Sequence, residues 1–342
     1  MARVRLAVSA VALTLSGAFA FADAAQAETV TMSVVTGSPP GHILSKGVEN
    51  WMSCVSEAAG DSVEFNYFPA GQLIALRELQ AGLENGVADS VPLPVGYASD
   101  KLPLNGVSML PGLGSTAQEI ISALSKGVRE DEALSSEYKE INAVPIWVMG
   151  FPPYQIISTS AAMRTLDDFK GKVIRSAGGT MNLTIEALGA APAEVVVADL
   201  YVSMERGVVD ATISGANSVK PYNVQELMKS MSVNGAFGTF TNVFAINGDK
   251  WESMPEETRG VMTDCGLKTE KFMAETMDAE AGELLAEFKG LGVDVYKFTP
   301  EEISVLNEKL ASVHDDWVKR LEDRGLPARE VLDRYLGRLG GS

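Results

Sequence analysis

The stretch TVTMSVVTGSPPGHILSKGVENWMSCV, residues 29–55, holds a strand pattern and a helix pattern on either side of a proline–glycine loop. Residues 29–35 form a short run typical of a strand. Thr36-Gly37-Ser38-Pro39-Pro40-Gly41 breaks it. Leu44, Val48, Trp51, Cys54 and Val55 then recur at helical spacing. The alternation continues outward. Residues 63–68 read as a second strand, ended by Pro69-Ala70-Gly71, and residues 74–84 as a second helix stopping near Gly86. Residues 88–93 read as a third strand, again followed by proline and glycine. Strand, helix, strand, helix is the pattern of a parallel sheet covered on both faces, so the fold class is α/β.

The pattern restarts after residues 145–154. Residues 155–159, 172–176, 193–197 and 208–213 read as strands, and residues 181–188 as a helix. Asp199 stands where it would cap a helix carrying Leu200, Met204 and Glu205. A further strand at 241–246 precedes a mostly helical stretch. As one helix, residues 256–285 would reach about 45 Å and run along two domains, although Gly260, Gly266 and Gly282 argue against continuity. A last helix places Ile303, Leu306, Leu310, Val313, Trp317 and Leu321 on one side. Thr299 and Glu302 form its capping box. The layout predicts two α/β domains, and the late strand predicts that the chain crosses back to the first.

Arg3 and Arg5, an apolar run over residues 6–21, and Ala25-Gln26-Ala27 have the form of a secretory signal peptide, residues 1–27, with Glu28 as the first mature residue. The run is too short for a dependable membrane span. The expectation is an exported, soluble protein. A formal charge of −17 excludes a nucleic-acid partner, which would require a basic face, and suits a monomer. Cys54 and Cys265 do not make a disulfide scaffold. Their apolar helical neighbours favour two free, buried thiols, with a bridge as the alternative.

The sequence has no HExxH, no paired metal-spaced cysteines, no phosphate loop of the Walker type and no G-x-S-x-G elbow. Neither a metal nor a cofactor is implied, and an enzyme has nothing specific under it. Ser176-Ala177-Gly178-Gly179-Thr180 is explained by a tight turn as well as by phosphate binding. The acidic pairs Asp167-Asp168 and Asp315-Asp316 look solvated. His314 reads as a boundary residue. His42 follows the Pro-Pro-Gly loop at a helix N-terminus, where it either faces a cleft at the sheet's edge or simply starts the helix.

Five segments in order resemble one family: Phe68-Pro69-Ala70-Gly71-Gln72-Leu73; Asp168 through Gly171 to Arg175; Leu188-Gly189-Ala190 leading to Asp199-Leu200-Tyr201; Glu205-Arg206-Gly207-Val208-Val209-Asp210; and Ile246-Asn247 with Trp251 and Pro255. On these the chain is similar to the C4-dicarboxylate-binding (DctP-type) periplasmic solute-binding proteins of tripartite ATP-independent periplasmic (TRAP) transporters, from residue 29 to about 321. The resemblance implies two domains around a cleft, joined by hinge strands and a long helix: residues 28–151 plus 241–280, and 152–240 plus 281–330. It implies a periplasmic binding protein that catalyses nothing and delivers an organic acid to small and large membrane permease subunits. The runner-up is the binding protein of an ATP-driven uptake system.

By the same resemblance, Arg175 pairs with a ligand carboxylate, and a planar guanidinium suits that task on chemical grounds alone. Structural pairing between domains is its alternative. His42, Trp147, Phe151, Tyr154, Gln155, Ser214 and Asn217 complete the expected ligand set, with Phe151 and Tyr154 equally readable as core. Gly150-Phe151-Pro152-Pro153-Tyr154-Gln155 carries no positive charge, which favours a monocarboxylate with an apolar or aromatic part over a compact dicarboxylate.

Overall fold

The computed structural model describes residues 29–339. The expected leader and the start at Glu28 lie outside the described residues. Among the described residues eleven strands form two sheets. They are β1 (Val30–Val35), β2 (Val63–Phe68), β3 (Ser90–Pro94), β4 (Ala143–Gly150), β5 (Gln155–Ser158), β6 (Val173–Ser176), β7 (Ala191–Glu194), β8 (Ala211–Ser214), β9 (Ser230–Ser232), β10 (Thr241–Asn247) and β11 (Asp294–Tyr296). The first sheet has the order β2-β1-β3-β10-β4 and the second β11-β9-β5-β8-β6-β7. The chain therefore leaves the first sheet after β4 and returns to it as β10, antiparallel to both β3 and β4.

The two crossings are laced together. Phe151 N–H donates to Phe240 O at 3.1 Å, Tyr154 N–H to Gly238 O at 2.7 Å, and Phe237 N–H to Tyr154 O at 3.2 Å. Backbone pairing of this kind makes a compact hinge between two lobes.

The helix Glu256–Gly290 runs unbroken for 35 residues, roughly 50 Å at 1.5 Å per residue. Its glycines do not interrupt it. Gly266 is needed, because a Cβ there would meet Ile146 O at 2.6 Å. Glu270 fixes the first half to the first lobe through Arg129 (2.9 Å), Ser125 (2.7 Å) and Val148 N–H (3.0 Å). The second half carries Phe288 into the core of the second lobe. Glu280 bonds both Lys46 and Asn217, and Glu287 pairs with Lys220.

Cys54 and Cys265 are joined in a disulfide, which corrects the expectation of free thiols. The helix Ile43–Ala59 lies along the long helix. Trp51 Nε1–H donates to Met262 O at 3.0 Å, and one turn on the two cysteine Cα atoms are 5.7 Å apart, within bonding range. Helix-on-helix packing creates this proximity, and a separation of 211 residues conceals it.

Other boundaries shift for local reasons. β7 begins at Ala191 rather than 193, as an edge strand, the place where Pro192 is tolerated. β8 begins at Ala211 because residues 207–210 form a turn. There Asp210 receives Val173 N–H on its carboxylate at 2.8 Å and returns its own N–H to Val173 O. Residues 76–78 are a 3-10 turn before the helix Leu79–Glu84. Asp199 occupies a cap position without a side-chain bond, whereas Asp168 is not merely solvated but completes a capping box with Thr165. The helices Ala117–Glu130 and Ala328–Leu339 were not expected. They pack together, and the Ala328–Leu339 helix also meets Pro300–Glu322. No helix among the described residues is long and apolar enough to cross a membrane.

Candidate ligand-binding site

The carboxyl ends of β1, β3, β4, β6 and β8 converge on the seam between the sheets, the usual ligand edge of α/β folds. A cavity opens there, with about 380 Å³ of space free of protein atoms, the open solvent at its mouth included. Its walls come from both lobes. Ser38, His42, Tyr97, Phe151, Phe240 and Asn242 face Tyr154, Arg175, Ala177, Val197 and Ser218.

Arg175 sits on β6 and is 2% exposed. Its Nε–H donates to Val195 O at 2.7 Å and an Nη2–H donates to Tyr97 Oη at 3.1 Å. A guanidinium has five N–H groups, so three remain. Among the described residues no carboxylate pairs with it. A buried cation without an anion is costly, and the cavity it lines supplies the place for one.

Tyr97 reaches across from the first lobe. Its oxygen accepts from Arg175 and also from Val197 N–H at 3.0 Å. The lobes approach so closely beside it that a Cβ on Gly178 would meet Gly96 O at 2.8 Å. Gly178 also has φ +88°. This explains the glycines after β6, which make a turn and permit a close approach.

His42 caps the helix Ile43–Ala59, its Nδ1 accepting from Leu44 N–H at 3.1 Å. Burial, aided by the Lys46 charge, lowers its pKa to about 4. The ring is therefore neutral at pH 7, and with Nδ1 accepting, its proton is on Nε2. Phe151 lies edge-on to His42 at 6.2 Å and 5.7 Å from Tyr154. Burial raises the Tyr154 phenol pKa, keeping it protonated.

The structure thus brings Arg175, His42, Phe151 and Tyr154 together in the cavity. It places the other four expected residues elsewhere. Trp147 is core, stacked on Phe244 at 5.0 Å and 8°. Gln155 is a hinge residue, donating to Pro153 O and Gly235 O and accepting from Ser232 and Gly235 N–H. Ser214 is buried on β8 outside the lining. Asn217 bonds Glu280 on the long helix. His314 Nε2–H donates to Pro111 O at 2.7 Å, outside the cavity. Tyr97, Phe240 and Asn242 were missed. Tyr97 had a signal, since it follows Pro94-Val95-Gly96 at the end of a parallel strand. The other two come from the returning crossing and had none.

Residues 34–320 match the family model of bacterial extracellular solute-binding protein, family 7, DctP. The chain belongs to this family. It is a DctP-type solute-binding protein of the periplasm, and it binds rather than catalyses. It is 26% identical over 330 residues to the C4-dicarboxylate-binding periplasmic protein DctP of Rhodobacter capsulatus, covering 92% of this chain and 93% of that one. Two solved structures share the fold, each with a TM-score of 0.85. One is a TRAP solute-binding protein from Rhodoferax ferrireducens in complex with copurified benzoate, 22% identical, covering 91% of this chain and 98% of the other. The second is a marine metagenome TRAP solute-binding protein specific for aromatic acid ligands, with 3-hydroxybenzoate, 21% identical, covering 92% and 98%.

Proposed function

We propose that this solute-binding protein captures an organic monocarboxylate with an aromatic body and presents it, lobes closed, to the small and large permease subunits of a TRAP transporter. One observation carries the reading: Arg175 is the sole cation lining a buried cavity whose other walls are largely aromatic and apolar. Three free N–H groups suit one carboxylate held by two parallel bonds. No lining lysine or second arginine is present for a second carboxylate. Phe151, Tyr154, Phe240 and the Tyr97 ring offer faces and edges to an aromatic group. The aromatic acids held by the two solved relatives agree with this chemistry, while the dicarboxylate-binding relative marks the competing one.

In this reading the lobes divide as residues 28–151 plus 241–280 and 152–240 plus 281–330, and the working unit is a monomer. The strands of the two sheets fall on matching sides of that division.

The test is a thermal-shift screen of refolded, ligand-free protein against aromatic and aliphatic mono- and dicarboxylates. A ligand at a hundredfold excess over its Kd adds about 2.7 kcal/mol to stability. Aromatic monocarboxylates should give the largest shifts. Larger shifts with short dicarboxylates would overturn the reading.

A further inference from the structure

Arg175 accounts for the carboxylate, but two other polar groups of the cavity are left without protein partners. His42 is 4% exposed and Asn242 is 3% exposed, and both line the cavity. The His42 Nδ1 is held by Leu44 N–H, which leaves Nε2–H as a donor, and within the described residues nothing accepts it. The Asn242 backbone is fixed in β10 between β3 and β4. Its side-chain amide makes no hydrogen bond within the described residues, so it offers both a donor and an acceptor. Both groups are neutral. Polar groups this deeply buried are ordinarily hydrogen-bonded. An apolar ring filling the cavity would strip them of water and return nothing.

We propose that His42 Nε2–H and the Asn242 amide form a second, neutral pole of the cavity, which receives a hydroxyl or carbonyl oxygen on the same ligand whose carboxylate meets Arg175. A hydroxyl matches the pair, because it accepts from His42 or from the Asn242 NH2 and donates to the Asn242 carbonyl oxygen. A second carboxylate does not match, because no cation lines the cavity at this pole: the nearby Lys46 ammonium is paired with Glu280 and lies outside the lining. The solute class becomes a hydroxy- or oxo-substituted monocarboxylate. The inference rests on the proposed function for the carboxylate at Arg175, and it narrows what the rest of the ligand must carry.

The experiment is titration calorimetry of refolded, ligand-free protein with benzoate, 3-hydroxybenzoate, 4-hydroxybenzoate, propionate and lactate. The readout is the affinity ratio of each hydroxylated acid to its parent. At least one ratio should be about tenfold or more, the scale of one buried hydrogen bond satisfied rather than stranded. His42→Asn keeps a side-chain acceptor for the helix cap while deleting Nε2–H, and Asn242→Leu removes the amide at similar size. Each should pull that ratio toward one. Ratios near one throughout in the unaltered protein, or a ratio that survives both substitutions, overturn the pole. Benzoate binding without any hydroxyl gain leaves the carboxylate reading standing and removes this one. A lactate-over-propionate gain that both substitutions erase, with no aromatic acid bound, supports the pole and removes the aromatic reading. Binding of none of the five overturns both.

Discussion

Tyr97 Oη stands 3.1 Å from Arg175 Nη2 and accepts from it, so a side chain of the first lobe orients the ligand-facing guanidinium of the second. The same oxygen accepts Val197 N–H, also from the second lobe. Both bonds cross from one lobe to the other, so separating the lobes would break them. The orientation of Arg175 is therefore tied to contact between the lobes.

Arg175→Ala should leave a folded protein, by circular dichroism, that has lost its carboxylate partner. Truncating one member of a buried charge pair costs about 2–5 kcal/mol, or roughly 30- to 5,000-fold in affinity. Arg175→Lys should recover only part, since an ammonium lacks the planar fork. Calorimetry checks both, and near-parental affinity in the alanine variant would remove Arg175 from the site.

Tyr97→Phe should weaken binding by about tenfold, because Val197 N–H and one Arg175 N–H lose their acceptor in the closed form. The loss should fall on the dissociation rate, the rate through which most interface changes act. Stopped-flow measurement decides it. A change confined to association would show that Tyr97 acts before closure.

Gly178→Ala should hinder closure, because the added Cβ would sit 2.8 Å from Gly96 O. Ligand affinity should fall, and X-ray scattering should no longer show compaction on adding ligand. Normal compaction would mean that the loop yields.

His42 gives a pH dependence with a definite sign. The folded pKa is about 4, below the ordinary histidine value, so the stability contribution is complete above pH about 6.5. As pH falls from there toward 4, the unfolded chain gains a proton that the folded one refuses. Roughly 3 kcal/mol is lost over that window. Denaturant midpoints of the parent and His42→Asn should converge or cross between pH 7 and 4. Parallel curves would refute the assignment.

Alkylation of the denatured, unreduced protein should label neither cysteine, since Cys54 and Cys265 are bonded. Replacing both with serine should lower stability by about 2–5 kcal/mol, measured by thermal unfolding. Two labels in the first experiment would restore the free-thiol reading.

The alternation of short strands and helices was legible because each element carries its own period and its own breakers. β2 was placed to the residue, and β1, β6 and β10 to within one. The capping box at Thr299 and Glu302 was legible for the same reason, since both bonds are local. Arg175 was reached through a motif; it is buried and, among the described residues, hydrogen-bonded but without a carboxylate partner. What escaped depends on contact between distant segments. The partner of Cys54 lies on another helix, the partner of Arg175 on another lobe, and the second wall of the cavity on a strand that returns late. Trp147 shows the converse. An aromatic residue near the hinge reads as a ligand wall, yet strand alternation turns its ring onto Phe244 and away from the cavity.

The bond between Cys54 and Cys265 encloses every strand from β2 to β10 in a covalent ring. Synthesis from the N-terminus makes residue 54 first, and that thiol must wait for 211 further residues before its mate exists. Almost the whole of both sheets has emerged by then. The ring is thus a seal set late in the protein's own production, in a compartment that oxidises thiols. A copy cut short before residue 265 has no ring at all.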